Sequence, residues 1–428
     1  MCIRDSNKVT YKRAENAFID TLACILSGVK EKQSKVALKY CLENNNSKNI
    51  KIFGGGKKLS ISAACFLHGV RSASIDFDDY EYVVGSHPSA PIFSALISVA
   101  QMKNISIEET YEGWVVGYEL IIKLGQALSY DHYYKGWHSA NTIGVIGTAA
   151  AVSKVLKLNA DQMANAISIA TSFSSGLKQQ FGTDIKAFHV GFASQAGVQS
   201  ALLAKNGGTA NQDIWNIERG FIELYGSKFS KKLNNNFKRS DLGNAIIKFP
   251  NFIKFWPVCS YSQRVIQGGL ILNKKIFIKK NIKSITIEFP EPWFRVSKFH
   301  IPKNSTEARF SLSYCLATAL INGKFDLSSL NISKNKKSLN IAKKNNMPAI
   351  ALTDNSNVFG AMEFTKACIQ SGIQPIVGCT LKVDISEIVN DNYFRNNIIL
   401  QVKYFELTTN IPNHFNFFNL KLMQRYLL

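Results

Sequence analysis

An acidic and aromatic segment between two apolar stretches is the first candidate for chemistry. Residues 76–89 read DFDDYEYVVGSHPS and bring several carboxylates close to a histidine. Carboxylates that stand side by side repel each other unless they share a cation or a proton, so the cluster is uncommon between apolar helices. The segment is either a solvated acidic loop or part of a site that contains a cation.

Two further segments place a histidine and a lysine at the starts of predicted helices. His138 stands in GWHSA, directly before a helix of small residues, where a helix N-terminus tends to hold an imidazole neutral. In residues 181–191, FGTDIKAFHVG, Lys186 and His189 flank the start of another helix, and Lys186 could bind a carboxylate. The alternatives are a structural loop histidine and a surface lysine.

The second half of the chain adds two weaker signals. In residues 252–264, FIKFWPVCSYSQR, Lys254 leads into an aromatic-proline turn that could place Cys259 in a pocket. In residues 306–315, TEARFSLSYC, Tyr314 follows the start of a helix. The chain has no P-loop, no GxSxG and no HExxH motif, and FGGGKK at 53–58 lacks the strand-to-helix context of a dinucleotide site.

Composition places these residues in a globular protein. The chain has 428 residues, 46% hydrophobic content and a net charge of +21, and no apolar run is long enough to span a membrane. The positive charge is spread among Lys-Asn-Ile stretches, which argues against nucleic-acid binding and for solvated loops that attract a small polyanion. The eight cysteines have no metal-ligand or disulfide spacing, so we expect no structural zinc and a reducing, cytoplasmic compartment.

The elements that position these residues are predicted from apolar periodicity. The first 230 residues predict a helical bundle dense in Ala, Gly and Ser, with helices at 14–30, 61–74, 90–102, 107–128, 142–157, 160–178 and 190–205. Residues 244–330 predict a smaller α+β unit, with strands at 244–249, 276–280 and 283–289 and helices at 260–274 and from 305. From residue 331 onwards a parallel α/β unit is predicted, with helices at 338–346 and 360–371 and strands at 348–353 and 374–384.

Taken in order, the segments resemble the MmgE/PrpD family over about residues 12–330. The resemblance rests on HGVRSASIDFDDYEYVVGSHPSAP, GWHSANTIGVIGTAAAVSK, GTDIKAFHVGFASQAG, FWPVCSYSQ and STEARFSLSYCLATALINGKFDL. The family includes 2-methylcitrate dehydratase, cis-aconitate decarboxylase and iminodisuccinate epimerase. The resemblance implies a large helical domain, a smaller α+β lid, a homodimer, and catalysis without a metal or an organic cofactor.

The resemblance also assigns roles to individual residues. It implies that the catalytic residues are Asp76, His138, Lys186 and Tyr314, with His138 transferring the proton, and that the substrate-binding residues are His87, Lys254 and Cys259. Lys186, Lys254 and His87 are expected to hold substrate carboxylates. These types suit the chemistry, because a polycarboxylate needs cationic partners and proton removal beside a carboxylate needs a base. The sequence departs from the family pattern in two places: Tyr80 stands where many members have Thr, and Cys259 and Gln263 lie where many have a second histidine.

Residues 338–380 resemble a different family, the PHP domain of the bacterial DNA polymerase III α subunit. The match rests on LTDNSNVFGAMEF and GIQPIVGC, and the HxH metal motif that should precede it is missing. We interpret the chain as a chimera with five parts: a non-native leader (1–11), the helical domain (12–243), a truncated lid (244–330), a polymerase fragment (331–400) and an unassigned tail (401–428). Because the family's last lid segment is absent, part of the lid sheet is expected to be unpaired.

The sequence therefore predicts a cofactor-independent lyase or isomerase that acts on a small di- or tricarboxylate and resembles 2-methylcitrate dehydratase. Dehydration, decarboxylation and epimerisation all stay open. Two alternatives stand beside this prediction: a nucleic-acid-associated protein built on the polymerase fragment, and an inactive chimeric fragment.

Overall fold

The computed structural model describes residues 8–44, 49–233, 243–275, 282–289, 291–344, 349–351, 379–385 and 398–402. It divides into two compact units, Met1–Lys254 and Phe255–Leu428, which are considered separately.

The first unit is a helical bundle, as predicted. Its helices are α1 (Lys8–Ser27), α2 (Lys32–Glu43), α3 (Ile61–Ala73), α4 (Ser89–Lys103), α5 (Ile107–Leu128), α6 (Asp131–Tyr134), α7 (Ser139–Thr142), α8 (Gly144–Val155), α9 (Ala160–Thr171), α10 (Ile185–Lys205), α11 (Phe221–Tyr225) and α12 (Ala245–Lys248). A short antiparallel pair, β1 (Ile50–Lys51) and β2 (Lys58–Leu59), accompanies them.

Several helix boundaries and one element type differ from the predictions. Helix α9 ends at Thr171 and not near residue 178, so the segment that follows is free to form the loop around residues 174–181. Helix α10 begins at Ile185, five residues before the predicted start, and therefore includes Lys186 and His189. The predicted strand at 244–249 is wrong, because a short apolar run fits a helix or a strand equally well and here forms α12.

Local signals explain where the long helices begin. Ser106 and Glu109 form a capping box at the start of α5, and Asn159 with Gln162 forms another at the start of α9. The core between the helices is built around Phe93 and Trp114, whose rings stack with centroids 5.6 Å apart, and the Trp114 indole donates to the Ser89 hydroxyl at 3.0 Å. The bundle is therefore fixed both by its caps and by a continuous core.

Glycines let the central helices approach closely. A Cβ atom on Gly69 of α3 would lie 2.7 Å from the carbonyl oxygen of Val190 on α10, and one on Gly191 would lie 2.7 Å from the ring of Phe66. Because α10 carries Lys186 and His189, this contact sets the position of two candidate site residues relative to the loop that follows α3.

The second unit contains α13 (Ser262–Lys275), α14 (Glu291–Phe294), α15 (Ser305–Ala308), α16 (Leu312–Asn322) and α17 (Lys336–Lys344). Helices α13 and α16 pack together through Gly269, whose Cβ position lies 2.9 Å from Cβ of Ala319. The helix predicted at 260–274 is thus α13. The strand predicted at 276–280 and the helix predicted at 360–371 fall outside the described residues.

The strands of this unit form one mixed sheet. Its order is β4 (Ala349–Ala351), β3 (Ile282–Phe289), β5 (Cys379–Ile385) and β6 (Ile398–Val402), with β4 parallel to β3 and the other two pairings antiparallel. Among the described strands, β4 and β5, which follow residue 331, pair with opposite edges of β3 and not with each other. The backbone groups of an open strand pair with any suitable neighbour.

Within the parts of the chain that the structure describes, no helix combines the length and the hydropathy that crossing a bilayer requires.

We expect Gly69→Ala to lower the free energy of unfolding by about 1–3 kcal/mol, because the new methyl group would collide with the backbone of α10. Gly55→Ala is the matched control, since its Cβ would lie 3.6 Å from the nearest atom, an ordinary contact. Urea denaturation of both variants measures the difference. Equal stability of the two variants would contradict the close packing of α3 on α10.

Candidate active site

The backbone after α3 turns sharply at Asp76. Its φ angle of +54° lies in the left-handed region, where aspartate is tolerated better than most non-glycine residues. The Asp76 amide donates to the carbonyl of Ala73 at 3.2 Å, so the turn follows directly from the end of the helix. This conformation directs the acidic segment back across the bundle.

The carboxylate of Asp76 binds two lysines that are distant in the sequence. Its Oδ1 accepts from Nζ of Lys186 at 2.6 Å and from Nζ of Lys254 at 2.8 Å, and the Asp76 carbonyl accepts from Lys254 at 3.0 Å. All three side chains are buried. The structure therefore brings three of the predicted site residues into one ion cluster.

Two carboxylates of the segment are held ionised. Burial alone would raise the pKa of Asp76, but the positive charges of Lys186 and Lys254 outweigh it and hold that pKa far below its usual range. For Asp78, burial is likewise outweighed by His87 and Lys254, which lower its pKa. Asp78 lies 3.6 Å from Nζ of Lys254 and 3.2 Å from Nδ1 of His87.

The other two carboxylates of the segment organise its backbone. Burial raises the pKa of Glu81 to about 7, and its carboxylate accepts from the amides of Val83, Val84 and Ser86. Burial also raises the pKa of Asp79 to about 6, and Asp79 accepts from the hydroxyl of Ser89 at 2.5 Å. These carboxylates shape the loop that presents Asp76, Asp78 and His87.

Lys254 is positioned by pairing between two loops. Tyr80 and Phe252 form an antiparallel bridge, with the Tyr80 amide donating to the Phe252 carbonyl at 3.0 Å and the reverse bond at 2.8 Å. Their rings stack with centroids 5.6 Å apart. Tyr80, which departs from the family pattern, thus joins the acidic segment to the chain leading to Lys254.

His138 and His87 lie close to each other, and the charges of Asp76 and Lys186 act on both. Their ring centroids are 6.4 Å apart, and Nδ1 of His87 donates to the Asp79 carbonyl at 2.7 Å. Burial lowers the pKa of His87 to about 4 against the opposing effect of Asp78. Burial, His189 and Lys186 lower the pKa of His138 well below its usual value. Both imidazoles are therefore neutral at physiological pH.

His138 also contacts a second histidine. Its Nδ1 lies 3.0 Å from Nδ1 of His189, and the edge of its ring meets Phe181 at a centroid distance of 4.9 Å. Nε2 of His138 is buried and has no hydrogen-bond partner among the residues that the structure describes. Lys186 and His189 are three residues apart on α10, so one helix face supplies both.

The remaining predicted site residues belong to the second unit. Cys259 is buried and its amide donates to the Arg309 carbonyl at 3.1 Å. The hydroxyl of Tyr314 donates to the Ser329 carbonyl at 2.7 Å, and burial raises its pKa to about 12. Gln263, the other departure from the family pattern, bonds the backbone of Trp256 and Val258 and holds the aromatic-proline turn.

Three residues beside the cluster escaped the sequence-based assignment. The sequence does not distinguish Asp78 from the neighbouring carboxylates. His189 could have been assigned from its spacing from Lys186. No sequence pattern pointed to Asp20 of α1. Burial, together with Asp79 and Asp78, raises the pKa of Asp20 well above its usual value. Among the described residues, no group of three or more histidine, cysteine or acidic side chains has the arrangement of a metal site.

Comparison with known families agrees with the sequence motifs. The family model of the MmgE/PrpD N-terminal domain matches residues 1–234, more than half of the chain. The chain belongs to the MmgE/PrpD family. The model of the MmgE/PrpD C-terminal domain matches residues 256–341, so both family domains are represented.

Relatives of this MmgE/PrpD chain include several proteins named cis-aconitate decarboxylase. The human protein is 25% identical over 322 residues, which is 73% of this chain and 66% of the relative. The Aspergillus terreus protein is 26% identical over 224 residues, which is 50% of this chain and 45% of the relative. The MmgE/PrpD chain thus spans between about half and two thirds of the length of these relatives.

The final part of the chain matches a second, unrelated family. A PHP domain model matches residues 329–421, and the DNA polymerase III α subunit of Chlamydia trachomatis is 52% identical over 48 residues, 11% of this chain and 4% of the polymerase. The predicted combination of an MmgE/PrpD sequence with a polymerase-type PHP segment is confirmed.

The Glu81 loop makes a pH-dependent contribution to stability. Because folding raises the pKa of Glu81 from 4.5 to about 7, its stabilisation is fully present below pH 4.5 and is lost as the pH rises through 7. We expect Glu81→Gln to lower the free energy of unfolding relative to wild type at pH 4.5. This decrease should be about 3 kcal/mol larger at pH 4.5 than at pH 8. Urea denaturation across this range measures the difference.

Glu109→Gln is the control for that experiment. Its capping interaction with the Ser106 amide, together with Lys157, lowers the pKa of Glu109, so the effect of its substitution stays constant between pH 4.5 and 8. A Glu81→Gln effect that is equally constant would show that burial does not raise the pKa of Glu81.

Proposed function

We propose that the MmgE/PrpD part of the chain is a lyase or isomerase that acts on a small di- or tricarboxylate. In this proposal a proton is transferred at a carbon beside a carboxylate, with residues of the first unit as the machinery. The observation that carries it is a neutral, buried histidine, His138, on which the charge of Lys186 acts, together with the Asp76 carboxylate that Lys186 shares with Lys254. This combination supplies a base and positive charge close together.

His138 suits the role of the base. Its lowered pKa keeps the imidazole unprotonated at neutral pH, and no described residue forms a hydrogen bond with its buried Nε2. A base that starts neutral can accept a proton from carbon, while the negative charge that develops on the substrate is stabilised by preorganised cations. Lys186, whose charge acts on His138, supplies that stabilisation in the proposed mechanism.

Asp76 keeps the lysines in place. Two ammonium groups buried together would repel each other and would lose much of their hydration, and an anion that hydrogen-bonds both offsets these costs. Lys186 and Lys254 then provide the positive potential that attracts the carboxylates of the substrate. His87, partly exposed beside Asp78, is proposed to orient a further carboxylate.

The relatives favour one substrate for the first assay. Their printed name, cis-aconitate decarboxylase, describes the removal of CO2 from a tricarboxylate, which fits a site with two buried lysines. In decarboxylation CO2 leaves and a proton is then delivered to the carbon, whereas dehydration and epimerisation begin with removal of a proton from carbon by the base. All three reactions develop negative charge beside a carboxylate, so 2-methylcitrate and iminodisuccinate belong in the same assay. Catalytic participation of Tyr314, substrate binding by Cys259, the homodimer and the cytoplasmic location stay predictions from the family resemblance.

We expect His138→Asn to reduce kcat on the substrate that is turned over by about 100-fold or more, because the base is removed. His300→Asn, at an exposed histidine of the second unit, is the control and should retain wild-type activity. Steady-state assays of the full chain with cis-aconitate, 2-methylcitrate and iminodisuccinate provide the measurement.

Substitutions of two lysines, one in the site and one at the surface, test the proposed anion binding. Lys186→Met should abolish measurable turnover, whereas Lys57→Met, at an exposed lysine, should not. A folded wild-type chain that is inactive on all three substrates would overturn the proposed function. Full activity of His138→Asn would overturn the assignment of the base.

A further inference from the structure

Two buried imidazoles share a single hydrogen bond beside the candidate active site. Nδ1 of His138 and Nδ1 of His189 are 3.0 Å apart, with ring centroids 5.2 Å apart. A neutral imidazole has one N–H donor and one acceptor nitrogen, so one of these Nδ1 atoms donates and the other accepts. The tautomers of the two rings are therefore complementary: if one carries its hydrogen on Nδ1, the other carries it on Nε2.

The surroundings of His138 decide between the two arrangements. Its Nε2 is buried and meets no hydrogen-bond partner in the described part of the chain, and the charge of Lys186 acts on the ring. A buried N–H without an acceptor is rare and is disfavoured near an ammonium group, whereas a lone pair at the same place is tolerated. The favoured arrangement places the hydrogen on Nδ1 of His138 and leaves Nε2 as an acceptor.

The backbone holds both rings in this geometry. The His138 amide donates to the Gly176 carbonyl at 3.0 Å, and Trp137 and Leu177 form a β-bridge. Gly176 has a φ angle of +105°, and a Cβ atom there would lie 3.3 Å from the ring of His189. The loop is thus built to pass close to His189 while it anchors His138.

We propose that His189 is a positioning residue that accepts the Nδ1 hydrogen of His138 and so keeps Nε2 of His138 ready to accept a proton. The catalytic meaning of this inference rests on the proposed function. When Nε2 takes a proton, the ring becomes an imidazolium and its Nδ1–H donates a charge-assisted hydrogen bond to His189, which is stronger than the neutral one. His189 thus orients the base and stabilises its charged form, as the third member of a catalytic triad does.

The tautomer of His138 can be observed without any substrate. The full chain, labelled with 15N at its seven histidines, gives imidazole nitrogen resonances that distinguish Nδ1–H from Nε2–H. The His138 signals are assigned by their loss in His138→Asn. The wild type should show His138 with hydrogen on Nδ1. An Nε2–H form of His138 in the wild type would overturn the proposal.

Two substitutions of His189 separate positioning from packing. In His189→Leu the acceptor is lost, so the Nδ1–H form of His138 should no longer dominate and kcat should fall by about 100-fold with KM changed less than about twofold. In His189→Asn the side-chain oxygen can occupy the position of Nδ1, and both the tautomer and most of kcat should return. An unchanged His138 tautomer in His189→Leu would also overturn the proposal.

The two readouts keep this inference distinct from the proposed function. If the tautomer responds as expected while no substrate is turned over, the proposed function fails and the pairing stands. If His189→Leu does not fold, the spectra of the wild type and of His189→Asn still show which tautomer of His138 is present. His300→Asn, exposed and outside this unit, should leave the His138 resonances unchanged.

Discussion

The single carboxylate of Asp76 is the constraint on which the rest of the site depends. It binds Lys186, 110 residues further along the chain, and Lys254, 178 residues further along. Breaking such a buried ion cluster from one side typically costs about 3–5 kcal/mol, because the remaining charges stay buried without compensation. The cluster therefore fixes the loop after α3, the start of α10 and the segment that ends the first unit in one arrangement.

The carboxylates around this cluster divide by the direction of their pKa shifts. The pKa values of Asp76 and Asp78 are lowered because neighbouring basic groups outweigh burial, whereas burial raises the pKa of Asp79 and Glu81, which accept hydrogen bonds from backbone and side-chain donors. Burial also lowers the pKa of each neighbouring histidine. These imidazoles are therefore unprotonated at neutral pH, and a buried imidazole can act as the base. Four carboxylates in six residues thus have two different physical roles, set by their partners.

Much of the helical unit could be predicted from the sequence, because its elements carry local signals. Helix α5 runs from Ile107 to Leu128 as the apolar period and the Ser106 cap indicate. Boundaries without such signals were missed: α10 starts in a stretch that contains Lys186 and His189, and residues 245–248 are a helix although their composition suggests a strand. The residues that meet at Asp76 were found through family motifs, but the Tyr80–Phe252 bridge and Asp20 depend on tertiary contacts that no local pattern encodes.

In the proposed mechanism His138 transfers a proton at carbon while the charge of Lys186 acts on it. Deuterium incorporation from D2O into the substrate or product, followed by NMR, tests this most directly. The wild-type chain should incorporate deuterium at a carbon adjacent to a carboxylate, and His138→Asn should incorporate none above background. Equal incorporation by both proteins would contradict the assignment of His138 as the group that transfers the proton.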